Sequence, residues 1–104
     1  MTMYTMLTQL VNYVLPFLGD PIIATHPESQ ISFPGKSVSL CVEAKGTPPL
    51  HYSWICNDKV VEGADNPVLA LTEVREADSG SYRCRIENQV GKVESNPAEL
   101  LVGE

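Results

Sequence analysis

The chain is 104 residues long, the size of a single domain, and its 13 acidic against 7 basic side chains give a net charge of −6. The lysines and arginines are scattered rather than clustered, which excludes the basic patch that nucleic acid or an anionic membrane surface would require. The acidity is therefore read as solubility.

Residues 1–19 contain no Asp, Glu, Lys or Arg. Met3, Met6, Leu7, Leu10, Val11, Val14, Leu15 and Leu18 recur at steps of three and four, with Thr5, Thr8, Gln9, Asn12 and Tyr13 on the other side. That period predicts an amphipathic helix over residues 3–18, stopped by Pro16 and Gly19-Asp20-Pro21. The segment is too short and too polar to span a membrane. It lacks the positive start and the uninterrupted apolar stretch of a signal peptide. Residues 1–20 are accordingly read as a helical extension that docks on the sandwich or as a remnant of a preceding domain, with a signal peptide as the alternative, and residues 21–104 as the main domain.

From Pro21 onward, short apolar alternations are separated by turn residues, which is an all-β pattern. Ile22–His26 and Gln30–Phe33 form a first strand broken at Pro27, as proline permits at an edge. In Lys36–Ala44, Val38, Leu40 and Val42 share one face and Ser37, Ser39, Cys41 and Glu43 the other. Gly46-Thr47-Pro48-Pro49 turns the chain into a strand where Leu50, Tyr52 and Trp54 alternate with His51, Ser53 and Ile55. Asn57-Asp58 turns again into Lys59–Val61. Val68–Thr72 follows with Leu69 and Leu71 inward, then Ser81–Glu87, a hairpin at Asn88–Lys92, and a last strand through Val93, Ala98, Leu100 and Val102.

Catalytic chemistry finds little footing. His26 and His51, the only histidines, read as solvated surface residues without a nucleophile at a useful spacing. Cys41, His51, Cys56 and Cys84 lack the short spacings of a zinc site. No nucleophile elbow, phosphate loop or paired-carboxylate motif occurs, so no enzymatic activity, cofactor or small-molecule substrate is expected. Nothing basic adjoins Cys41; Lys59 lies close to Cys56, a weak basis for a reactive thiol.

Asp78-Ser79-Gly80-Ser81-Tyr82-Arg83-Cys84 then places the rest. Together with Gly35, Val38, Leu40, Trp54, Leu69, Leu71, Asn88, Gly91, Ala98, Leu100 and Val102 in order, this D-x-G-x-Y-x-C run resembles an intermediate-set (I-set) immunoglobulin domain over residues 21–102. The resemblance implies a Greek-key sandwich with Val42, Trp54, Leu71, Asp78, Gly80, Tyr82 and Cys84 as its structural core. It implies that Tyr82 ties back to upstream backbone at the strand E–F corner.

One position departs from the family. The inward cysteine expected on strand B is replaced by Val42, twelve residues before Trp54, while Cys41 stands one place early and on the outer face. The reading from this offset is that no disulfide crosses the core. A bulge turning Cys41 toward Cys84 and a Cys56–Cys84 bridge are the alternatives. Unbridged cysteines and the absence of an Asn-x-Ser/Thr sequon point to a cytoplasmic home. Intracellular I-set modules of titin, obscurin and myomesin resemble the chain in this respect. The helix-then-sandwich order is similar to that of the MALT paracaspase, which would make the domain a regulatory part of a signalling protease. The function implied is protein–protein interaction or scaffolding, with self-association as one form. An extracellular adhesion or receptor module bridged through Cys41–Cys84 is the alternative. The expected partner surface is Ile55 with Arg83 and Arg85 on the outer C–F–G face, where arginine is a good anchor.

Overall fold

A computed structural model describes residues 19–103. The helix expected over residues 3–18 lies outside the described residues, and no helix among those described is long and apolar enough to cross a membrane. Among the described residues, ten strands make an all-β, immunoglobulin-like sandwich: β1 Ile22–Thr25, β2 Gln30–Ser32, β3 Val38–Cys41, β4 Glu43–Lys45, β5 His51–Cys56, β6 Lys59–Val60, β7 Val68–Leu71, β8 Gly80–Glu87, β9 Lys92–Glu94 and β10 Ala98–Val102. One sheet runs β2-β10-β8-β5-β6, with β9 also on β8; opposite it stand the pairs β1–β4 and β3–β7.

The broken first strand changes layers. β1 pairs antiparallel with β4, whereas β2 runs parallel to β10 in the other sheet. Pro27, which has no N–H to give to a ladder, lies between them. The last strand is also interrupted, at residues 95–97. There Ser95 turns inward: its Oγ accepts from the Cys84 N–H at 2.9 Å, and its own N–H donates to the Cys84 carbonyl at 2.9 Å. The buried serine thus repairs the ladder that Pro97 cannot extend.

Alternation governs the core. Val38, Leu40 and Val42 are 4, 0 and 6 % exposed, while Cys41 between them is exposed. Val42 and Cys84 belong to one buried cluster with Trp54, Tyr82 and Ile86. Trp54 is fully buried, and its Nε1–H donates to the Asn66 carbonyl at 2.9 Å. All three cysteines are free. Burial pushes the Cys84 thiol up to about 11, so it stays protonated at neutral pH.

At the corner before β8, the Tyr82 hydroxyl donates to the Asp78 carbonyl at 2.5 Å, and the Asp78 carboxylate accepts from the Arg75 N–H at 2.8 Å. Desolvation raises the Tyr82 phenol well above its usual value. Asp78 and Gly80, expected within the core, are half-buried at this corner; Leu71 is half-buried too, packed against the core from β7. Gly80 is required for a different reason from backbone freedom. A Cβ there would sit 2.7 Å from Asn57 Nδ2 and 2.9 Å from Cys56 Sγ, so any larger residue would displace the Asn57 and Cys56 side chains from β8.

Candidate protein-interaction face

The outer face of the larger sheet follows from strand periodicity. With Tyr82, Cys84 and Ile86 turned to the core, β8 must present Arg83 and Arg85 outward. Register sets Ile55 opposite Arg83, Ser53 opposite Arg85, and Glu94 opposite Arg85 on the other flank. Glu94 then bridges both arginines. Its Oε2 accepts from Arg85 Nη2 at 2.8 Å and Nε at 3.1 Å, and its Oε1 from Arg83 Nη1 at 3.2 Å. Arg83 Nη2 also donates to Asp58 Oδ1 at 2.8 Å. The hydrogen bond from Arg85 holds the Glu94 carboxyl below the ordinary carboxylate value; burial opposes it, and the charges of Arg83, Arg85 and Lys92 add to the lowering.

Asp58 is brought there by local chemistry. Asn57 and Asp58 have φ of 49° and 69°, a left-handed pair that these two side chains tolerate in a tight hairpin. Asn57 fixes the turn against β8, its Oδ1 accepting from the Ser81 N–H and its N–H donating to the Ser81 carbonyl, each at 2.9 Å.

The expected patch needs one correction. Ile55 is on the outer face but only 7 % exposed, so it offers no apolar surface to a partner. Its cross-strand neighbours are Arg83 and Val60. Arg83, bonded to Asp58 on the turn beyond β5, stands directly opposite Ile55 in the β5–β8 register. What the face presents is a row of partly exposed charges, Arg83 at 32 %, Arg85 at 39 % and Glu94 at 33 % of side-chain surface. Isolated surface ion pairs contribute only about 0–1 kcal/mol. Their effect here is to hold two guanidinium groups in fixed positions.

Asp58 and Glu94 were missing from the sequence reading of this face. Glu94 could have been found by counting register back from the Asn88–Lys92 hairpin, whereas the Asp58–Arg83 pair has no local signal.

The loops at one end are knitted by Asn88. Its Nδ2 donates to the carbonyls of Gly19 and Thr47 at 2.8 and 3.1 Å, and its Oδ1 accepts from the N–H groups of Val90 and Gly91 at 2.9 Å each. One side chain thereby joins the chain entry, the β4–β5 loop and the β8–β9 hairpin.

A 230 Å³ hollow beside β1 and β3 brings His26 and Glu28 near Cys41. The imidazole is engaged by the backbone rather than by the thiol. His26 Nδ1 accepts from the Asn96 N–H at 3.0 Å, which puts the ring proton on Nε2 and leaves no lone pair to act as a base. His51 is exposed, opposite Glu87. No group of three or more His, Cys, Asp or Glu suited to hold a metal ion occurs among the described residues.

Known proteins agree with this architecture. Residues 20–88 match the family model described as "Immunoglobulin domain". Mouse cartilage intermediate layer protein 2 is 35 % identical over 99 residues, covering 91 % of this chain and 8 % of its own length. Mouse basement membrane-specific heparan sulfate proteoglycan core protein is 36 % identical over 95 residues, 86 % of this chain and 2 % of its own. Human mucosa-associated lymphoid tissue lymphoma translocation protein 1 is 34 % identical over 77 residues, 72 % of this chain and 9 % of its own. The chain thus spans less than a tenth of the length of these relatives. Among solved structures, the N-terminal Ig1-2 module of the Drosophila receptor protein tyrosine phosphatase DLAR superposes with a TM-score of 0.75 at 28 % identity, over 81 % of this chain and 46 % of that one. Titin M4 shares the fold, with a TM-score of 0.74 at 19 % identity over 82 % of this chain and 97 % of that one. On the family match and these relatives, the chain belongs to the immunoglobulin-domain family.

Proposed function

We propose that the domain is a non-catalytic protein-recognition module of a larger matrix or cell-surface protein, docking a protein partner through the outer face of β5, β8 and β9. The observation that carries this reading is the fixed pair Arg83 and Arg85, bridged by Glu94, with Asp58 also holding Arg83, on the outer face. Arginine in a preset geometry loses little freedom on binding and pairs well with an acidic partner group. Residues 21–104 form the recognition domain in this reading, with 1–20 as a separate extension. Gly19 already docks on its loops, its N–H donating to Thr47 Oγ1 at 2.6 Å.

The compartment changes from the cytoplasm inferred from the cysteines. The names of two relatives refer to cartilage and basement membrane, and two others are called an Fc receptor-like protein and a membrane protein. Loss of a core disulfide is compatible with a life outside the cell as long as the core is otherwise filled. A second reading, an intracellular scaffold or the regulatory domain of a paracaspase-like signalling protease, is favoured by the three free thiols.

The test has two arms. The double charge reversal Arg83→Glu/Arg85→Glu should reduce binding to the partner, recovered by cross-linking to the intact parent protein, by at least about tenfold, the equivalent of one charge-assisted contact. Undiminished binding by this folded variant refutes the face. A membrane-impermeant maleimide applied to intact cells carrying the parent should label exposed Cys41. Labelling only after permeabilisation selects the intracellular reading.

A further inference from the structure

The second surface is the open edge of β7, which is separate from the arginine face. Among the described residues β7 pairs only with β3, and the seven residues 61–67 that connect β6 to β7 contain turns and no strand. The Val42 N–H donates to the Pro67 carbonyl at 2.9 Å, and the ladder continues as Cys41↔Val68, Leu40↔Leu69, Ser39↔Ala70 and Val38↔Leu71. Hydrogen-bonded and non-hydrogen-bonded pairs alternate along an antiparallel ladder. Starting from Val42–Pro67, Leu69 and Leu71 therefore direct their backbone groups at β3. Val68 and Ala70 direct their N–H and C=O groups away from it, toward a side where no described strand receives them.

That side is a groove of 370 Å³ between β7 and the 61–66 loop. Val61, Ala64 and Leu71 line it beside the polar Glu62 and Asn66, and these three are partly buried hydrophobics packed against the core. The other edges are blunted. β6 has two residues and begins with Lys59, β2 has three and precedes Pro34, and the register of β1 slips between Ile23 and Thr25. β7 has a regular register, four residues Val-Leu-Ala-Leu and no charge. Its surroundings also select the occupant: the segment 61–74 carries Glu62, Asp65 and Glu73 and neither Lys nor Arg. A second copy would bring the same acidic rim and be repelled, whereas a basic segment would be attracted.

We infer that the open edge of β7 is a strand-addition site for an extended peptide of a partner protein, with alternating apolar residues flanked by Lys or Arg. Main-chain bonds to Val68 and Ala70 would supply affinity; alternate apolar side chains on Val61, Ala64 and Leu71 would supply selectivity.

The probe is the synthetic heptapeptide Lys-Val-Ser-Val-Ser-Val-Arg, with an otherwise identical peptide bearing Glu at both ends as control. In amide hydrogen exchange, the basic peptide should slow exchange at Val68 and Ala70 and leave Leu69 and Leu71, already bonded to β3, unchanged. Ala70→Pro removes one outward N–H without touching the β3 ladder, and should weaken binding about tenfold, the equivalent of one lost hydrogen bond. Glu62→Lys/Asp65→Lys, which alters no strand, should reverse the preference between the two peptides. Arg83→Glu/Arg85→Glu should bind the basic peptide unchanged, which separates this site from the outer face. No protection at Val68 and Ala70 in millimolar basic peptide overturns the inference. So does peptide preference unaltered by Glu62→Lys/Asp65→Lys, or protection of the same amides by self-association without peptide.

Discussion

Trp54→Ala should destabilise the domain by about 3–5 kcal/mol, the largest loss expected from any single truncation in the sandwich. Trp54 is the largest of the fully buried side chains and packs in the same cluster as Leu40, Cys84 and Ile86. Its removal leaves a cavity and strands the Asn66 carbonyl, which now accepts from the indole. Domains of this size are stable by only about 5–15 kcal/mol, so the variant should be near unfolding at physiological temperature. Urea melts followed by far-ultraviolet circular dichroism would measure the loss. A cost below about 1 kcal/mol would mean that the tryptophan does not occupy the centre of the core.

Val42→Cys should act in the opposite direction. Val42 and Cys84 are both buried in the central cluster, on opposing layers of the sandwich. A bridge between them would close a loop of roughly forty residues, worth about 4 kcal/mol in chain-entropy terms, offset by about 1 kcal/mol of lost valine burial. The oxidised variant should melt higher than the wild type, and reduction should bring it below. Non-reducing mass spectrometry and thermal melts with and without dithiothreitol read both effects. A variant that stays reduced in air, or that is destabilised when bridged, would show that residue 42 does not stand where the cross-link belongs.

The two halves of the fold differ in how legible they were. Strands with strict period-two alternation, such as Val38–Val42 and Ser81–Glu87, could be read directly, because one face must be buried and the register has only one solution. The Asp78–Cys84 corner was legible for another reason: its local bonds span four residues or fewer. The layer switch between β1 and β2 and the inward turn of Ser95 depend on partners far along the chain. So does the Asn88 staple, whose bonds reach residues 41 and 69 positions away. No local pattern encodes them. Ile55 lies on the expected face, but its burial is not legible there, because alternation assigns a face and not the cover, and the cross-strand neighbours Arg83 and Val60 come from other strands. The open edge of β7 was overlooked because a reading of single strands does not ask which strand is missing beside each one.

The central claim is that Val42 occupies the core position facing Cys84 and leaves this immunoglobulin domain without a cross-link. The most direct measurement is the mass of the native protein after alkylation under denaturing, non-reducing conditions. The structure predicts three modified thiols, with Cys41 the first to react in the folded state and Cys84 modified only on unfolding, since it is fully buried and its thiol is held protonated. A single modified thiol, with Cys41 and Cys84 recovered as one cross-linked peptide pair, would contradict it.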